Sequence, residues 1–202
     1  MCGGKGTRLE SDREKPLYPI DGIAMVDRVV TALAQSRIDA IYAAVSPNAP
    51  ETRDHLSASD EPVTTISTAG DGYVADLLAV LDRPAVTTPI LTVAADLPLL
   101  DAAVVEQVLT VYDDRGHAGS LTVCVPETCK RRLGTSVDSR LDTATSPDEL
   151  VPTGINVVDA TADDSTAESM TYVTDDPRLA INVNRREDAR LATERIRRST
   201  DR

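Results

Sequence analysis

The sequence contains no phenylalanine and no tryptophan, and its 202 residues include only five tyrosines. A core without large aromatic rings must be built from Val, Leu, Ile and Ala, which favours Val-rich buried strands packed by helices. A chain of this length is about one domain and can bury a sizeable core. We therefore expect residues 1–202 to form a single domain.

Lysine is also scarce in this sequence. It occurs only at Lys5, Lys15 and Lys130, against 33 acidic residues, and the formal net charge is −12. This balance excludes a broad basic face for nucleic acid. An Asp-rich, Lys-poor surface is typical of a high-salt cytoplasm, where screening removes most self-repulsion. We therefore expect a halophilic protein, with an ordinary acidic surface as the alternative.

Cysteines are few, and long apolar runs are missing. Cys2, Cys124 and Cys129 are odd in number and form no CxxC pair, so we predict reduced thiols rather than a disulfide framework or a zinc site. No apolar run approaches 18 residues and no signal-peptide pattern precedes a cleavage site. The expectation is a cytoplasmic protein with no membrane span.

Short Val/Ala/Ile-rich runs alternate with segments of helical period, a pattern typical of βαβ units. The predicted strands are residues 41–45, 63–67, 90–95, 120–125, 155–158 and 170–174. The predicted helices lie near 23–36, 50–58, 73–83, 101–114 and 186–198. This order predicts an α/β fold, Rossmann-like, with a mainly parallel sheet and helices on both faces. Residues 126–148 lack periodicity and are interpreted as a loop or an excursion over the sheet edge.

The stretch GGKGTR, from Gly3 to Arg8, is rich in glycine near the N-terminus. Glycines let the backbone approach a phosphate closely, and Lys5 and Arg8 add positive charge. The spacing is that of neither a Walker A loop nor a dinucleotide fingerprint, and a purely structural turn is the alternative. Lys15 follows at a distance that allows it to fold back over the loop, which favours phosphate binding.

With its GGxGTR and following KP, the chain resembles the nucleotidyltransferases, which include sugar-nucleotide pyrophosphorylases and molybdenum cofactor guanylyltransferase. Four further segments resemble the archaeal GTP:adenosylcobinamide-phosphate guanylyltransferases: SPNAPET (46–52), TAGDGYVADL (68–77), LVPTGINVV (150–158) and INVNRREDARLATE (181–194). The resemblance spans nearly the whole chain and fails mainly in 126–148.

This resemblance implies a nucleotide site. Its residues are Gly3, Gly4, Lys5, Gly6, Thr7, Arg8, Lys15, Ser46, Pro47, Asn48, Gly70, Asp71, Gly72 and Asp76, among which Lys5, Arg8 and Lys15 are the catalytic ones. Asp71 or Asp76 would accept from the guanine N1 and N2 protons, and the choice between them stays open. Turns and helix caps are the alternative for 46–48 and 70–72.

A metal site and an acceptor site are also implied. Asp96 comes directly after the strand at 90–95, and the resemblance makes Asp96 and Asn184 ligands of Mg²⁺, an ion that prefers oxygen ligands near phosphates. Helix capping is the alternative for both, although Asp101 is better placed to cap the next helix. Thr153, Gly154 and Asn156 would face the acceptor, with a tight turn as the alternative.

The implied reaction uses GTP and adenosylcobinamide phosphate. The terminal phosphate of the corrinoid attacks the α-phosphorus of GTP, pyrophosphate leaves, and a GDP-linked corrinoid of cobalamin biosynthesis forms. One alternative keeps the enzyme class and changes the acceptor to a molybdopterin or a sugar phosphate. Another class of alternative is a GTP-binding regulator without catalysis. The sequence leaves the oligomeric state open, a homodimer included.

Only Met1 and Cys2 precede the glycine-rich loop, although such a loop needs a strand to anchor it. In the resembling proteins five or six residues form that strand, centrally in the sheet. We therefore expect that Met1 is an internal residue of a longer chain. The structure should then show an unfilled slot between the strands at 41–45 and 90–95.

Overall fold

The computed structural model describes residues 1–2, 7–9, 11–116, 119–141, 149–159 and 169–200. The strands are β1 (Pro19–Ile20), β2 (Ile23–Ala24), β3 (Ile41–Val45), β4 (Val63–Ser67), β5 (Ile90–Val93), β6 (Leu121–Pro126), β7 (Leu150–Val158) and β8 (Met170–Val173). The helices are α1 (Met25–Ala34), α2 (Pro50–Ser57), α3 (Tyr73–Leu81), α4 (Ala102–Asp114), α5 (Glu127–Leu133) and α6 (Arg186–Thr200). Two short 3₁₀ turns, Thr7–Leu9 and Lys15–Leu17, precede β1.

The strands confirm the α/β class, and they form a mixed rather than uniformly parallel arrangement. β3 and β4 are parallel, with Ile41 opposite Val63. The other large sheet has the order β5-β7-β6-β8, in which β6 and β8 are parallel and β7 runs antiparallel to both of its neighbours. Because β7 lies between β5 and β6, its hydrogen bonds join β5 to the strands β6 and β8 in one sheet.

The helices cover the strands with aliphatic side chains, as the periodicity predicts. In α1 the stripe of Val26, Val29 and Val30 is buried. In α4, Val104, Val108 and Tyr112 are buried. The cap of α4 is also as expected, since the Asp101 carboxylate accepts from the Val104 N–H over 3.0 Å.

The expected slot between β3 and β5 is present, because these strands do not pair with each other. Met1 and Cys2 lie at one end of it: the Cys2 N–H donates to the Ala44 carbonyl over 2.8 Å, and the Met1 amino group donates to the Val93 carbonyl over 3.0 Å. The remainder is a cavity of about 390 Å³ lined by both strands and by the helices.

Residues 126–148 were interpreted as a loop or an excursion over the sheet edge. The structure has helix α5 near the start of this segment, and the helix is capped by Gly134 in the left-handed conformation (φ 76°). Its buried residues are Glu127, Cys129 and Lys130, so no apolar period marks it in the sequence. The Glu127 carboxylate accepts from Arg140 and Arg131, and these hydrogen bonds, Arg140 first, lower the pKa of Glu127 to about 2. The part of this segment from 142 to 148 lies outside the described residues.

Two smaller differences concern strands. β7 begins at Leu150, five residues before the predicted start, and the short β1–β2 hairpin was not predicted because two-residue strands carry no readable alternation. The hairpin turns at Asp21 and Gly22, both with positive φ.

Cys2, Cys124 and Cys129 are buried and unbridged, and burial raises the pKa of the Cys124 thiol to about 11. Among the described helices, none has the length and apolar character needed to cross a bilayer.

Candidate active site

Lys15 lies where the N-terminal segment, the end of β5 and the segment before α6 meet. It begins the 3₁₀ turn Lys15–Leu17, which the buried ring of Pro16 anchors. Its Nζ donates to Asp96 Oδ2 over 2.6 Å and to Asn184 Oδ1 over 2.6 Å. The Lys15 and Asp96 side chains are 15% and 18% exposed, so water screens their attraction only partly. Three predicted site residues therefore share one junction.

Asp96 is held in a single orientation by two further hydrogen bonds. The Val183 N–H donates to the Asp96 carbonyl over 2.9 Å. The side-chain amide of Asn182 donates to Asp96 Oδ1 over 3.1 Å, while Oδ2 accepts from Lys15. Each carboxylate oxygen therefore has its own donor.

Lys130, on α5, is a second cation beside this junction and is only 2% exposed. Its Nζ donates to the Ala180 carbonyl and to Asn182 Oδ1, both over 3.0 Å. The Asn182 amide nitrogen, in turn, donates to Asp96 and to the Thr153 carbonyl. Because the ammonium faces Oδ1, the amide must turn its N–H groups toward Asp96. Burial lowers the pKa of the Lys130 ammonium, and the nearby carboxylates of Asp188 and Asp96 oppose that shift.

Asp188 fixes the other side of the junction and is 1% exposed. Its carboxylate accepts from the backbone N–H groups of Asn184 and Arg185 over 3.1 and 3.0 Å. It also accepts from the N–H and hydroxyl of Ser136 over 2.9 and 2.8 Å. The backbone that carries Asn184 is therefore tied both to the first turn of α6 and to the segment after α5.

The sequence analysis did not identify Lys130, Asn182 or Asp188. Lysine is scarce in this sequence, and this scarcity could have drawn attention to Lys130 as a site residue. The two asparagines of INVN could have done the same for Asn182. For Asp188, a carboxylate three residues after Arg185 at a helix start is a capping pattern.

The glycine-rich loop is only partly described. Gly3, Gly4, Lys5 and Gly6 lie outside the described residues, and Thr7 begins the 3₁₀ turn Thr7–Leu9. The side chain of Arg8 is 65% exposed and pairs with Asp138 over 2.9 Å. Asp138 also pairs with Arg185 over 3.2 Å, so the loop is linked to the same α5–α6 region as the junction.

The two turns predicted to bind nucleotide lie against each other. A Cβ on Gly70, whose φ is +77°, would lie 3.0 Å from Ser46 Cβ, 3.3 Å from Asn48 Nδ2 and 3.3 Å from Pro47 Cδ. The 46–48 turn and the 70–72 turn thus form one surface after β3 and β4. Glycine is favoured at position 70 because the positive φ strains any other residue and an added Cβ would crowd these three side chains.

The two candidate carboxylates on this surface differ in exposure. Asp76 is 5% exposed and accepts from the Gly70 N–H over 2.9 Å, while Asp71 is exposed. Gly72, with φ +116°, precedes α3. Nearby, the Thr68 N–H donates to the Val45 carbonyl, and the buried Thr68 hydroxyl has no hydrogen-bond partner among the described residues.

The three residues predicted to face the acceptor, Thr153, Gly154 and Asn156, have different surroundings in the structure. The Thr153 side chain is fully buried and its hydroxyl donates to the Val123 carbonyl over 3.0 Å, so it contributes to the sheet rather than to an open surface. Gly154, with φ +89°, packs against Ala94, the residue that follows β5, and an added Cβ would lie 2.7 Å from Ala94 Cβ. The Asn156 amide donates to the Tyr73 hydroxyl over 3.2 Å, which places it beside the start of α3.

Asp96 Oδ2 and Asn184 Oδ1 both accept hydrogen bonds from the Lys15 ammonium. The same two oxygens are of the type that binds a metal ion. One carboxylate and one amide oxygen suit Mg²⁺, which takes its other ligands from water and substrate phosphates. The described residues include no cluster of three or more His, Cys, Asp or Glu side chains of the kind that holds a metal without substrate.

We predict that Lys130→Met lowers the free energy of unfolding by about 1–3 kcal/mol, because Asn182 Oδ1 loses its buried donor and the Ala180 carbonyl loses one of two, retaining the Thr135 hydroxyl. The matched control is Arg131→Met on the same helix, where the side chain is 66% exposed and its partner Glu127 retains Arg140. The control should cost less than about 1 kcal/mol. Urea unfolding measures both, and equal stability of the two variants would contradict a structural role for the Lys130 hydrogen bonds.

Comparison with known proteins identifies relatives among the nucleotidyltransferases. The profile of the MobA-like NTP transferase domain family matches residues 1–152. Over 199 residues the chain is 30% identical to an adenosylcobinamide-phosphate guanylyltransferase from Methanocaldococcus jannaschii, an alignment that covers 95% of this chain and 93% of that relative. The bifunctional protein GlmU from Listeria monocytogenes serotype 4a is 27% identical over 127 residues, which cover 63% of this chain and 28% of GlmU.

Solved structures share the fold at low sequence identity. CMP:2-keto-3-deoxy-manno-octonic acid synthetase, solved with CTP, aligns with a TM-score of 0.59 at 16% identity, over 81% of this chain and 85% of that chain. A hypothetical transferase from Thermus thermophilus aligns with a TM-score of 0.61 at 17% identity, over 87% and 90%. The chain is a nucleotidyltransferase and belongs to the MobA-like NTP transferase domain family.

Proposed function

We propose that the chain transfers GMP from GTP to adenosylcobinamide phosphate, releasing pyrophosphate and forming a GDP-linked corrinoid. The observation that carries this proposal is the 30% identity to an adenosylcobinamide-phosphate guanylyltransferase across 95% of this chain. That alignment extends past residue 152, where the family profile ends, into β7, β8 and α6. It therefore includes the segment around Asn184.

The junction at Lys15 supports a site for the triphosphate. An ammonium held between Asp96 Oδ2 and Asn184 Oδ1 is a compact positive charge that can turn toward a phosphate oxygen when substrate arrives. Backbone N–H groups of the glycine-rich loop, with Lys5 and Arg8, would contribute further donors. Arg8 would exchange Asp138 for phosphate, an exposed pair that costs little to break.

Magnesium fits the same junction. Asp96 and Asn184 would hold the ion through the two oxygens that accept from Lys15, and substrate phosphates and water would supply its other ligands. When bound, magnesium neutralises charge on the triphosphate and its leaving pyrophosphate. Asn182 and Lys130 keep Asp96 in position for either partner.

We place the nucleoside on the surface formed by 46–48 and 70–72. The buried Thr68 hydroxyl, which has no hydrogen-bond partner in the described part of the chain, supports a polar ligand near this surface. Asp71 is the carboxylate that we propose reads guanine, since Asp76 already binds the Gly70 N–H and is nearly inaccessible. An accepting carboxylate favours guanine because its N1 and N2 groups are donors.

The chemistry requires positioning rather than a general base. The acceptor phosphate is already ionised at neutral pH, so one of its oxygens attacks the α-phosphorus of GTP. The bond from the α-phosphorus to the oxygen that joins it to the β-phosphorus breaks, and that oxygen leaves with pyrophosphate. Lys15, Lys5 and Arg8 stabilise the charge that accumulates on the non-bridging oxygens and the leaving group. No proton needs to be removed from the nucleophile.

An acceptor panel tests this function. The chain, GTP and Mg²⁺ are incubated with adenosylcobinamide phosphate, a molybdopterin or glucose 1-phosphate, and pyrophosphate is measured. We expect pyrophosphate and a GDP-linked product only with the corrinoid. Turnover with another acceptor would reassign the substrate. Binding of GTP by calorimetry without pyrophosphate from any acceptor would instead indicate a regulator.

Lys15→Ala should reduce turnover by more than about tenfold, because a charge that faces the phosphates stabilises the transition state. The variant should remain folded, although its thermal unfolding midpoint falls because Asp96 loses a largely shielded partner. Arg13→Ala, which removes an exposed cation two residues away, is the matched control and should retain full activity. Unchanged turnover in the Lys15 variant would leave Lys15 with only a structural role at the junction with Asp96 and Asn184.

Asp96→Asn should raise the Mg²⁺ concentration required for half-maximal activity while GTP binding persists, because a neutral amide is a weaker magnesium ligand than a carboxylate. Asp54→Asn removes an exposed carboxylate on α2 and should leave the requirement unchanged. Activity is titrated with Mg²⁺ for both variants. Identical titrations would leave Asp96 as a residue that only orients Lys15 and Asn182.

A further inference from the structure

Glu14 directly precedes Lys15, and its side chain reaches the start of α2, which lies 37 residues further along the chain. Glu14 Oε1 accepts from the Glu51 N–H over 2.8 Å. Its Oε2 accepts from the Thr52 N–H over 2.7 Å and from the Thr52 hydroxyl over 2.6 Å. Because both oxygens have donors, these three bonds hold the Glu14 carboxylate in one orientation.

The first turn of α2 takes its cap from Glu14. The first N–H groups of a helix have no partner within the helix and are commonly satisfied by the side chain at the N-cap. The N-cap of α2 is Ala49, which makes no such bond, and Pro50 has no N–H to donate. The N–H groups of Glu51 and Thr52 are therefore bound from outside the helix. A carboxylate suits this position, since the N-terminus of a helix carries partial positive charge.

The backbone of Glu14 belongs to the turn that carries Lys15. The Glu14 carbonyl accepts from the Leu17 N–H over 2.9 Å, and the Lys15 carbonyl accepts from the Tyr18 N–H over 3.1 Å. The buried ring of Pro16 anchors this turn. With its carbonyl in the turn and its carboxylate on α2, Glu14 keeps the two at a fixed distance.

Helix α2 continues directly from the 46–48 turn. The Ala49 N–H donates to the Ser46 carbonyl over 3.1 Å, and both residues are buried. Gly70 packs against Ser46, so the 70–72 turn belongs to the same packed unit. The start of α2 is therefore continuous with the surface on which we place the nucleoside. Through Glu14, this surface is joined to the turn that carries Lys15.

We propose that Glu14 is a positioning residue that fixes the spacing between the two halves of the nucleotide site. This role rests on the proposed function, in which the nucleoside of GTP lies on the surface of the 46–48 and 70–72 turns and its triphosphate lies at Lys15. A ligand that spans both halves gains affinity when their spacing is already set, because less freedom is lost on binding. A ligand that occupies one half gains nothing from that spacing.

A cap that only stabilised α2 would behave differently. Its loss would lower the thermal unfolding midpoint, and the molecules that remain folded would bind each ligand as before. In a titration, a smaller folded fraction changes the number of ligands bound per chain and leaves the dissociation constant unchanged. The dissociation constants of whole and partial ligands therefore separate the two roles.

The test compares the chain with three variants. Glu14→Gln keeps the size of the side chain but replaces one accepting oxygen by an amide that donates, opposite groups that also donate. Thr52→Val keeps the shape of the side chain and removes only the hydroxyl donor. Asp12→Asn, which changes an exposed carboxylate two residues before Glu14, is the matched control. Calorimetry with Mg²⁺ measures the binding of GTP, guanosine and inorganic triphosphate to each form, and thermal unfolding measures its stability.

We expect Glu14→Gln to raise the dissociation constant of GTP at least about fivefold, while those of guanosine and triphosphate change less than about twofold. Thr52→Val should shift GTP binding in the same direction by a smaller factor, and it decides the comparison if Glu14→Gln fails to fold. Asp12→Asn should match the unaltered chain. Equal changes for all three ligands, a change for triphosphate alone, or a lower unfolding midpoint with every constant unchanged would overturn the proposal.

Failure of the proposed function is visible in the unaltered chain. If that chain binds GTP no more tightly than guanosine or triphosphate, no single site spans the two halves, and the proposed function and the positioning role both fail. If it binds GTP more tightly than either part, the variants decide the role of Glu14 whatever the acceptor panel shows.

Discussion

The ion pair between Lys15 and Asp96 is the contact on which the architecture of the site depends. It joins the segment after the glycine-rich loop to the end of β5, and through Asn184 it also joins the start of α6. Because both side chains are largely shielded, their attraction is stronger than that of a surface pair, and so is the cost of leaving either charge unpaired. The pair therefore keeps three distant parts of the chain together while two oxygens remain able to take another cation.

A buried polar network makes that junction rigid. Lys130 orients the Asn182 amide, Asn182 holds Asp96, and Asp188 holds the backbone of Asn184. Such hydrogen bonds are strong where water is excluded, and a partner lost from one of them is costly. The network thus presents fixed oxygens toward a charged substrate, which is the preorganisation that transfer of a nucleotidyl group requires.

Aliphatic periodicity was sufficient to predict the strands and helices that bury only apolar residues, such as β3 and α1. The pairing direction of β7 could not be read from sequence, because an alternating strand can lie in either direction beside its neighbours. Helix α5 was missed since it buries Glu127 and Lys130, whose burial depends on partners distant in sequence. For the same reason Lys130, Asn182 and Asp188 were not predicted as site residues. Lys15 was predicted from its distance to the glycine-rich loop, and Asp96 and Asn184 were assigned as metal ligands from the resemblance. Thr153 lies in a segment that the resemblance assigns to the acceptor site. Its side chain is nevertheless buried and donates to the Val123 carbonyl, which the sequence does not reveal.

The central claim is that Lys15 exchanges its protein partners for a phosphate while Asp96 and Asn184 remain to hold a metal ion. A crystal structure with Mg²⁺ and a GTP analogue that cannot be cleaved between the α- and β-phosphorus tests it most directly. The account predicts Lys15 Nζ within hydrogen-bond distance of a phosphate oxygen, no longer bound to Asp96 Oδ2 and Asn184 Oδ1. Nucleotide bound with Lys15 Nζ still 2.6 Å from both oxygens would contradict it.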